Sequence, residues 1–332
     1  MTPVNTPHAH SPGGAPARIS VIGEALMDII HADGADGGSP RVSEHVGGSP
    51  LNVAIGCARL GLATRLVTHF GEDAHGRSIA EHLAANGVEA VNGGVGPTST
   101  ATATLGADRA ATYTFSLTWE IADAALAALA STEDSAHVHT GSIATMLPPG
   151  DQTVHSLVQA AQRNATISYD PNCRPSIVGD NTIARRQAEV FVQSSDIVKA
   201  SDEDLLWLYP NRTLDETLAA WLDAGPALIA VTRGALGPIA LTRTARVEMP
   251  ARAVTVADTV GAGDSFMAAL IAGLAQLDLL GASKRDQLRR LDHESLAALI
   301  EYATNAAALT CSRPGADLPG LGDLGPMTGT PA

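Results

Sequence analysis

A glycine-rich turn followed by an aspartate is the stretch of this 332-residue sequence whose chemistry is most readily inferred. Gly261 and Gly263 lie between a predicted strand that ends at Val256 and an apolar helix that we expect to open at Asp264. A helix N-terminus leaves backbone N–H groups unpaired, and residues without side chains let an anion approach them. A carboxylate beside such a site would be able to accept a proton from an attacking hydroxyl. The alternative is that Asp264 only caps its helix.

A second group of candidate residues follows the first predicted strand. Asp28 lies near the carboxyl end of that strand, where open α/β sheets bind ligands. Its acceptor oxygens suit the hydroxyl groups of a polyol. Gly47 and Gly48 precede a short helix that carries Asn52 in its first turn. The alternative interpretation of this glycine pair is a plain turn before a capped helix.

Three further turns place charged residues or glycines at the ends of predicted strands. The turn at residues 170–174 contains Arg174, whose charge could steady a transferred phosphate or an acidic or keto group of a substrate. Residues 232–237 join two apolar strands and could also be just a hairpin. Residues 201–204 form an acidic cluster, for which a solvated helix start is the alternative.

Short apolar runs alternate with helical segments along most of the chain. The runs lack polar alternation, which is typical of a parallel sheet covered on both faces. Ser49 as N-cap, Pro50 at the first helical position and Gly61 as the stop predict the clearest helix. The pattern therefore predicts one doubly wound α/β domain. Its strands are expected at residues 19–22, 65–68, 137–140, 166–169, 196–199 and 228–232.

Two segments depart from this pattern. Residues 29–46 are polar and Gly-rich, and residues 94–118 alternate apolar and polar side chains around a turn at 106–109. Alternation of this kind indicates a half-exposed antiparallel sheet. We expect the two segments to form a small lid, and two lids to pair in a homodimer, because open strand edges are usually buried. The alternative is a lid that folds onto its own core in a monomer.

Composition excludes several classes of function. The chain has 35 acidic and 21 basic residues and a net charge of −14, which disfavours nucleic-acid and membrane-surface partners. Neither of its lysines follows a glycine, which excludes a Gly-Lys-Ser/Thr phosphate loop. The three cysteines are scattered, and no apolar run reaches the about 18 residues of a membrane span. We therefore expect a cytoplasmic protein without a secretory signal.

The chain ends differ from the central region in composition. Residues 1–17 have no periodicity and are expected to be a disordered tail, and residues 319–332 are expected to be a frayed C-terminal tail. The predicted domain is therefore 18–318. Gly320, Gly322 and Gly325 have the spacing of a dinucleotide fingerprint, but no predicted strand precedes them and no predicted helix follows. We interpret that match as accidental.

At the glycine turn the sequence resembles the ribokinase-like (pfkB-type) carbohydrate kinases. Their late signature, Asp-Thr-x-Gly-Ala-Gly-Asp-x-Phe, matches residues 258–266, and their earlier Gly-Gly and Asn signature matches Gly47, Gly48 and Asn52. The resemblance covers nearly all of the predicted domain and implies a ribokinase-like fold. Within the family, Asp-Pro-Asn-x-Arg at residues 170–174 resembles the fructokinase and 2-keto-3-deoxygluconate kinase branch.

The resemblance implies a role for each candidate residue. It assigns the catalytic base to Asp264 and the anion hole for the transferred phosphoryl group to Gly261, Ala262 and Gly263. The sugar would be bound by Asp28, Gly47, Gly48, Asn52 and Arg174. The nucleotide would lie along Lys199, Thr232, Gly234, Gly237 and Asn305. Mg²⁺ would be bound by Asp204 and its neighbour Glu203, although Asp204 replaces the glutamate that is usual in the family. A monovalent cation would be bound by Asp258 together with residues 311–315.

The sequence thus predicts an ATP-dependent sugar kinase that uses Mg²⁺, with fructose as the acceptor and K⁺ as a further activator. The alternatives within the family are 2-keto-3-deoxygluconate kinase and ribokinase. A non-catalytic sugar-binding or regulatory protein on the same scaffold is an alternative of another class, but it would have no use for a base at Asp264. A nicotinamide-dependent oxidoreductase is disfavoured because no Gly-x-Gly-x-x-Gly follows a predicted strand.

Overall fold

The computed structural model describes residues 18–32, 41–94, 96–105, 111–121 and 134–328. The predicted tail at 1–17 and turn at 106–109 lie outside these residues. The strands are β1 (Arg18–Ile22), β2 (Leu26–Ala32), β3 (Arg41–Gly47), β4 (Ala63–Thr68), β5 (Glu89–Asn92), β6 (Ser99–Leu105), β7 (Ala111–Ser116), β8 (Ser135–Gly141), β9 (Thr166–Asp170), β10 (Ile197–Ser201), β11 (Leu228–Thr232), β12 (Ile239–Leu241) and β13 (Arg246–Glu248).

The helices lie mostly between the strands of the larger sheet. They are α1 (Ser49–Arg59), α2 (Ala74–Ala85), α3 (Gly150–Ala161), α4 (Pro175–Val178), α5 (Asn181–Gln193), α6 (Asp202–Leu208), α7 (Leu214–Ala224), α8 (Ala262–Gln276), α9 (Arg285–Leu288), α10 (His293–Cys311) and α11 (Leu321–Leu324). Short 3₁₀ turns occur at Ser142–Thr145, Gly234–Leu236 and Ala282–Lys284. No helix of the described residues is long and apolar enough to cross a membrane.

The larger sheet has nine strands in the order β13-β12-β11-β10-β9-β8-β1-β4-β5. All neighbours pair in parallel except β11 with β12 and β12 with β13. One face packs against α1, α2, α8 and α10, and the other against α3, α5, α6 and α7. The predicted doubly wound domain and its six predicted strands are confirmed. Because the parallel strands share a direction, their carboxyl ends meet at one edge, where the candidate residues lie.

The predicted lid is a second sheet of four strands in the order β3-β2-β6-β7. Its outer pairs are antiparallel as expected, but the central strands β2 and β6 run parallel. The reason is that β2 follows β1 and β6 follows β5, and β1 and β5 belong to the same parallel part of the larger sheet.

The predicted strand that ends at Val256 does not form. The chain there is extended, and the N–H groups of Ala257 and Asp258 donate to the Cys311 carbonyl oxygen at 2.8 and 3.3 Å. The end of α10, rather than a neighbouring strand, therefore satisfies this backbone. This contact brings residues 257–260 beside the loop after α10.

Helix α1 begins one residue earlier than predicted. Gly48 is its N-cap with φ of 118°, a left-handed value that favours glycine, and Ser49 is already helical. Ser49 makes no capping bond because its hydroxyl is used elsewhere, as described below. Gly61 follows the helix with φ of 87°, which confirms it as the stop.

The part of the expected C-terminal tail that the structure describes is packed onto the domain. Residues 321–324 form α11, and Met327 is buried against the core. The N–H of Met327 donates to the Gln276 side chain, and Arg313 forms an ion pair with Asp323. These contacts offset the chain entropy that a Gly- and Pro-rich segment would otherwise keep.

Candidate active site

Two cavities meet at the start of α8. The first, of about 490 Å³, is called the polar cavity because charged and polar side chains line it, among them Glu24, Asp28, Asn52, Arg174 and Asp264. The second, of about 680 Å³, is called the apolar cavity because most of its lining residues are glycines or carry apolar side chains, from residues 234–238, 251–256 and helices α8 and α10, among them Gly234, Gly237, Phe266, Ala307 and Cys311. A third cavity of about 800 Å³ lies at the other end of α8 and is lined by none of the site residues that the sequence predicts.

The carboxylate of Asp264 is held inside the polar cavity by two side chains of α1. Ser49 Oγ donates to Oδ1 at 2.6 Å, and Asn52 Nδ2 donates to Oδ2 at 2.8 Å. Asp264 lies in the first turn of α8, whose N-cap is Gly261, and no side chain caps this helix. Asp264 is therefore not the N-cap residue of this helix, although it is an acidic residue of the first turn, and it lines the polar cavity. Sequence reasoning missed Ser49, whose only signal was its position after the glycine pair.

Gly261 and Gly263 border the polar cavity beside Asp264, and Ala262 and Gly263 border the apolar cavity. Gly261 has φ of 77°, so a side chain would strain the turn. The N–H of Ala262 donates to the Thr259 carbonyl at 3.3 Å, so this amide is already partly engaged. The remaining N–H groups of the first helical turn have no acceptor within the helix. The predicted anion site thus lies between the two cavities.

The lid supplies Asp28 to the polar cavity. Its strand pairs with β3 so that Leu26 lies opposite Gly47. A side chain at Gly47 would collide with the Asp28 carboxylate, and Gly48 lines the cavity itself. Burial raises the pKa of Asp28, while the nearby His45 and Arg174 act in the opposite direction. The structure therefore brings all three predicted residues together.

Glu24 is a buried carboxyl group of the polar cavity that sequence reasoning did not single out. Its Oε2 accepts the Ala144 N–H at 3.1 Å, and the Ser142 hydroxyl also bonds to it. Burial raises its pKa to about 7, against these hydrogen bonds and the charge of Arg174. Glu24 thus links the end of β1 to the turn after β8. The signal available in the sequence was its position two residues beyond a buried strand.

Arg174 lies at the mouth of the polar cavity. One guanidinium nitrogen, Nη1, donates to the Asn172 side chain at 2.8 Å and to the carbonyls of Asn172 and Cys173 at 3.1 and 3.0 Å. The side chain is exposed, and these bonds fold it back over its own turn. Its charge acts on both Glu24 and Asp28. Arg174 is thus placed to contact an anionic or polar group that enters the cavity.

The turn at residues 232–237 forms part of the wall of the apolar cavity, and Thr232, Gly234 and Gly237 all line it. It also joins antiparallel strands β11 and β12, as the hairpin alternative required. Asn305 does not line this cavity. Its Oδ1 accepts a hydrogen bond of 2.6 Å from Arg252, which stands at the rim. Asn305 is thus bound to a lining residue of the cavity without lining it itself.

Lys199 is predicted to contact the nucleotide, but its side chain lines neither of these two cavities. It is buried, and its Nζ lies 2.8 Å from Asp170 Oδ2. Burial alone would lower the pKa of Lys199, but the charge of Asp170, with those of Asp204 and Asp264, outweighs burial and raises it. The ammonium therefore lies beneath the start of α8, paired with a carboxylate.

Asp204 and Glu203 differ in their surroundings. Asp204 is buried, and its Oδ1 accepts the Cys173 N–H at 2.7 Å while its Oδ2 accepts both the N–H and the hydroxyl of Ser201. Glu203 is exposed and lines neither the polar nor the apolar cavity. Within the described part of the chain no group of three or more His, Cys, Asp or Glu could hold a metal ion. These residues alone do not form a metal cage, and both oxygens of the Asp204 carboxylate already accept hydrogen bonds from the protein.

Asp258 joins the two segments that the resemblance assigns to a monovalent cation. Its Oδ1 accepts the Val260 N–H at 3.1 Å, and its Oδ2 accepts the Gly315 N–H at 3.0 Å. These backbone bonds, led by that of Val260, lower the pKa of Asp258. These bonds fix the carboxylate beside the loop after α10, so Asp258 lies next to the second segment that the resemblance assigns to the cation.

Comparison with known proteins gives a consistent result. The pfkB family carbohydrate kinase model matches residues 16–321. The chain is 34% identical over 279 residues to a fructokinase of Rhizobium leguminosarum bv. trifolii, covering 82% of this chain and 84% of the relative, and 32% identical to a fructokinase of Klebsiella pneumoniae, covering 78% and 84%. A crystal structure of a Xylella fastidiosa fructokinase with bound ATP superposes with a TM-score of 0.80 at 26% identity, covering 92% of this chain and 96% of that one.

Proposed function

This chain belongs to the pfkB family of carbohydrate kinases, and we propose that it transfers the terminal phosphoryl group of ATP to a hydroxyl group of fructose. The observation that carries the proposal is the Asp264 carboxylate, which lies inside the polar cavity at the helix start where the apolar cavity also opens. A base, an anion site and two adjoining cavities are the parts that phosphoryl transfer to an alcohol requires.

The proposed reaction takes place at the boundary between the cavities. The sugar hydroxyl gives its proton to Asp264 while its oxygen bonds to the terminal phosphorus of ATP, and the bond from that phosphorus to the ADP oxygen breaks. Ser49 and Asn52 keep the carboxylate aimed into the cavity. Backbone N–H groups at the start of α8 would stabilise the negative charge of the phosphoryl group in transfer.

The charges of the polar cavity favour a neutral sugar. Glu24, Asp28 and Asp264 contribute three carboxyl groups, whereas Arg174 is the basic side chain among the residues that line it. An acidic substrate such as 2-keto-3-deoxygluconate would bring a further negative charge into this surplus of carboxylates. Fructose carries no charge and offers several hydroxyl donors to the same oxygens. The structure offers no comparable reason against ribose, so ribose belongs in the test.

ATP would occupy the apolar cavity with its phosphates towards Gly263. The largely apolar lining suits an adenine ring, and the Xylella fastidiosa relative was crystallised with ATP. Mg²⁺ would be held chiefly by phosphate oxygens and water, with Asp204 as an indirect partner, and would neutralise phosphate charge. A monovalent cation such as K⁺ would bind beside Asp258 and the loop after α10.

A coupled assay for ADP release tests the function directly. We expect release with fructose to exceed release with ribose, 2-keto-3-deoxygluconate or adenosine by about tenfold or more in kcat/KM. A panel led by another acceptor by that margin would reject fructose while keeping the kinase. Fructose binding by calorimetry without ADP release would instead support the non-catalytic binding protein.

We further propose a homodimer through the lid. The strand register puts Ala101 opposite Phe115 and Ala103 opposite Tyr113, on the lid face that borders the polar cavity. The opposite face of the same strands carries threonines, with Thr102 opposite Thr114. Tyr113 remains 59% exposed beyond the cavity, and a second lid would cover it.

Light scattering at micromolar concentration tests the lid pairing. A dimer has twice the 34.0 kDa mass of the chain, and we expect Tyr113→Asp to dissociate it. Thr114→Asp, which alters the opposite face of the same strand, serves as the control and should leave the dimer intact. A wild-type species at the mass of one chain would contradict the dimer and favour a monomer with its lid on its own core.

A further inference from the structure

The polar and apolar cavities share two residues, Thr259 and Gly263. If the sugar fills the polar cavity and the nucleotide fills the apolar one, the phosphoryl group must pass these residues during transfer. The region around Thr259 and Gly263, where the two cavities meet, is called the junction. Its chemistry therefore depends on what lies behind the backbone of Gly263.

The Lys199 ammonium lies directly behind Gly263. A Cβ atom added to Gly263 would be 2.8 Å from Lys199 Nζ and 3.9 Å from Lys199 Cε, and outside its own helix it would meet nothing else within 4 Å. The backbone of Gly263 is not in the left-handed region, so its conformation does not demand glycine. The missing side chain instead makes room for the ammonium group.

Asp170 keeps the ammonium in this position. Its Oδ2 lies 2.8 Å from Lys199 Nζ, and its Oδ1 accepts the Asn172 N–H at 3.1 Å. Asp170 is 1% exposed and Lys199 is 4% exposed, so water does not compete for the pair. Burial raises the pKa of Asp170 to about 6, against the charge of Lys199, so the pair is ionised at neutral pH. One salt bridge thus fixes a positive charge beneath the junction.

We propose that Asp170 is a positioning residue for phosphoryl transfer, which holds the Lys199 ammonium against Gly263 so that the passing phosphoryl group meets a fixed positive charge. Without this cation, the carboxylates of Asp170, Asp204 and Asp264 would repel the phosphoryl group. Lys199 acts from behind the backbone and does not line the apolar cavity as a ligand. The proposal rests on the proposed function, because it assumes that a phosphoryl group crosses the junction.

The decisive variant removes both charges at once. Lys199→Met alone leaves a buried carboxylate without its partner and is expected to destabilise the fold. Lys199→Met with Asp170→Asn leaves an uncharged pair of similar size. We expect this double variant to melt within a few degrees of the wild type, with kcat reduced about tenfold or more and KM for fructose within about twofold. A double variant with wild-type kcat would overturn the proposal and leave the pair a purely structural salt bridge.

Two further variants complete the design. Gly263→Ala should lower kcat in the wild type, because the added methyl group displaces the ammonium. In the double variant it should have no further effect, because Met ends one atom short of the position of Nζ. If the losses in kcat caused by Gly263→Ala and by the double variant were additive, Gly263 would act on the phosphate directly. That result would contradict the role assigned to Lys199 and Asp170. Lys284→Met, at the chain's other lysine, is the matched control and should leave kcat unchanged.

Nucleotide binding separates this proposal from the proposed function. We expect calorimetry to show that the double variant loses about fivefold more affinity for ATP than for ADP, because the terminal phosphoryl group lies nearest the junction. If the double variant lost affinity for ATP and ADP equally, the result would contradict the proposal that the Lys199 charge acts on the terminal phosphoryl group. A wild-type protein that binds ATP but phosphorylates none of the sugars would contradict the proposed function, and the ATP-to-ADP difference would still decide the role of the pair.

Discussion

The polar and apolar cavities open at the same helix start but are built from different chemical groups. In the polar cavity, long-range bonds between side chains hold the groups that would react, such as those from Ser49 and Asn52 to Asp264. In the apolar cavity, most lining residues are glycines or carry apolar side chains, and the charged residues Arg233 and Arg252 bond to Glu248 and Asn305. The difference indicates that binding in the polar cavity would depend on individual side chains, whereas binding in the apolar cavity would depend mainly on the shape of the cavity.

The largest expected effect is that of Asp264→Asn. We expect kcat to fall by about 10²-fold or more, because an amide cannot accept the hydroxyl proton, while ATP binding and the melting temperature change little. Steady-state kinetics with a thermal melt measure this. Asp292→Ala is the control, since Asp292 caps α10 through the Ser295 N–H and its loss should lower the melting temperature without loss of kcat. Near-normal turnover by Asp264→Asn would end its assignment as the base.

Arg174→Ala should have the next largest effect. The exposed guanidinium folds over its own turn and adds the positive charge of the polar cavity, so we expect about a tenfold loss in kcat/KM for the sugar with little change in melting temperature. Arg77→Ala, at an exposed position on α2, is the control. A loss of stability larger than the loss of activity would make Arg174 a structural residue.

Glu24→Gln should produce a smaller effect that depends on pH. The pKa of Glu24 is raised from 4.5 to about 7, so the folded state disfavours its ionised form, and stability present below pH 4.5 is lost as the pH rises through 7. The variant has no such loss and should gain, relative to the wild type, at most about 3 kcal/mol between pH 5 and pH 8. Thermal melts across this range measure the difference.

Glu81→Gln provides the control for Glu24, because Glu81 is exposed on α2. Its melting temperature should follow that of the wild type across the same pH range. If Glu24→Gln also followed the wild type, the buried carboxyl group would not be the source of the pH dependence.

Asn305→Ala should have the smallest effect. Its side chain bonds to Arg252 outside the apolar cavity, so we expect KM for ATP to change by less than about threefold. Kinetics at saturating fructose measure it. A tenfold rise in KM for ATP would contradict the contrast between the two cavities, because nucleotide binding would then also depend on a single side chain.

Much of this arrangement could be predicted from local patterns. The six apolar runs became parallel strands, since their composition suits a sheet buried on both faces. The expected strand before the glycine turn failed, because an apolar extended segment becomes a strand only if a neighbouring strand accepts its backbone bonds. The expected C-terminal tail was packed by contacts such as that of Met327 with Gln276, which composition alone does not reveal.

Among the site residues, too, local patterns predicted some positions, and packing decided the others. The glycine turn and Arg174 could be recognised because each lies at a strand end or helix start, where a site residue has a local signature. Asp28 could be recognised because it follows the first strand closely, although the structure places it inside β2 of the lid and not at a strand end. Glu24 and Asp170 have equally local positions, but their importance comes from burial and from partners far along the chain.

The sequence by itself determined the elements and the identity of the residues at their ends, because helix periodicity, turn residues and buried strands depend on neighbours a few positions apart. The tertiary structure alone decided that Ser49 bonds to Asp264 across 215 positions and that Lys199 fills the space left by Gly263. Such contacts depend on how helices pack over the sheet, and a hydroxyl or an ammonium has several possible partners until packing removes water and leaves one.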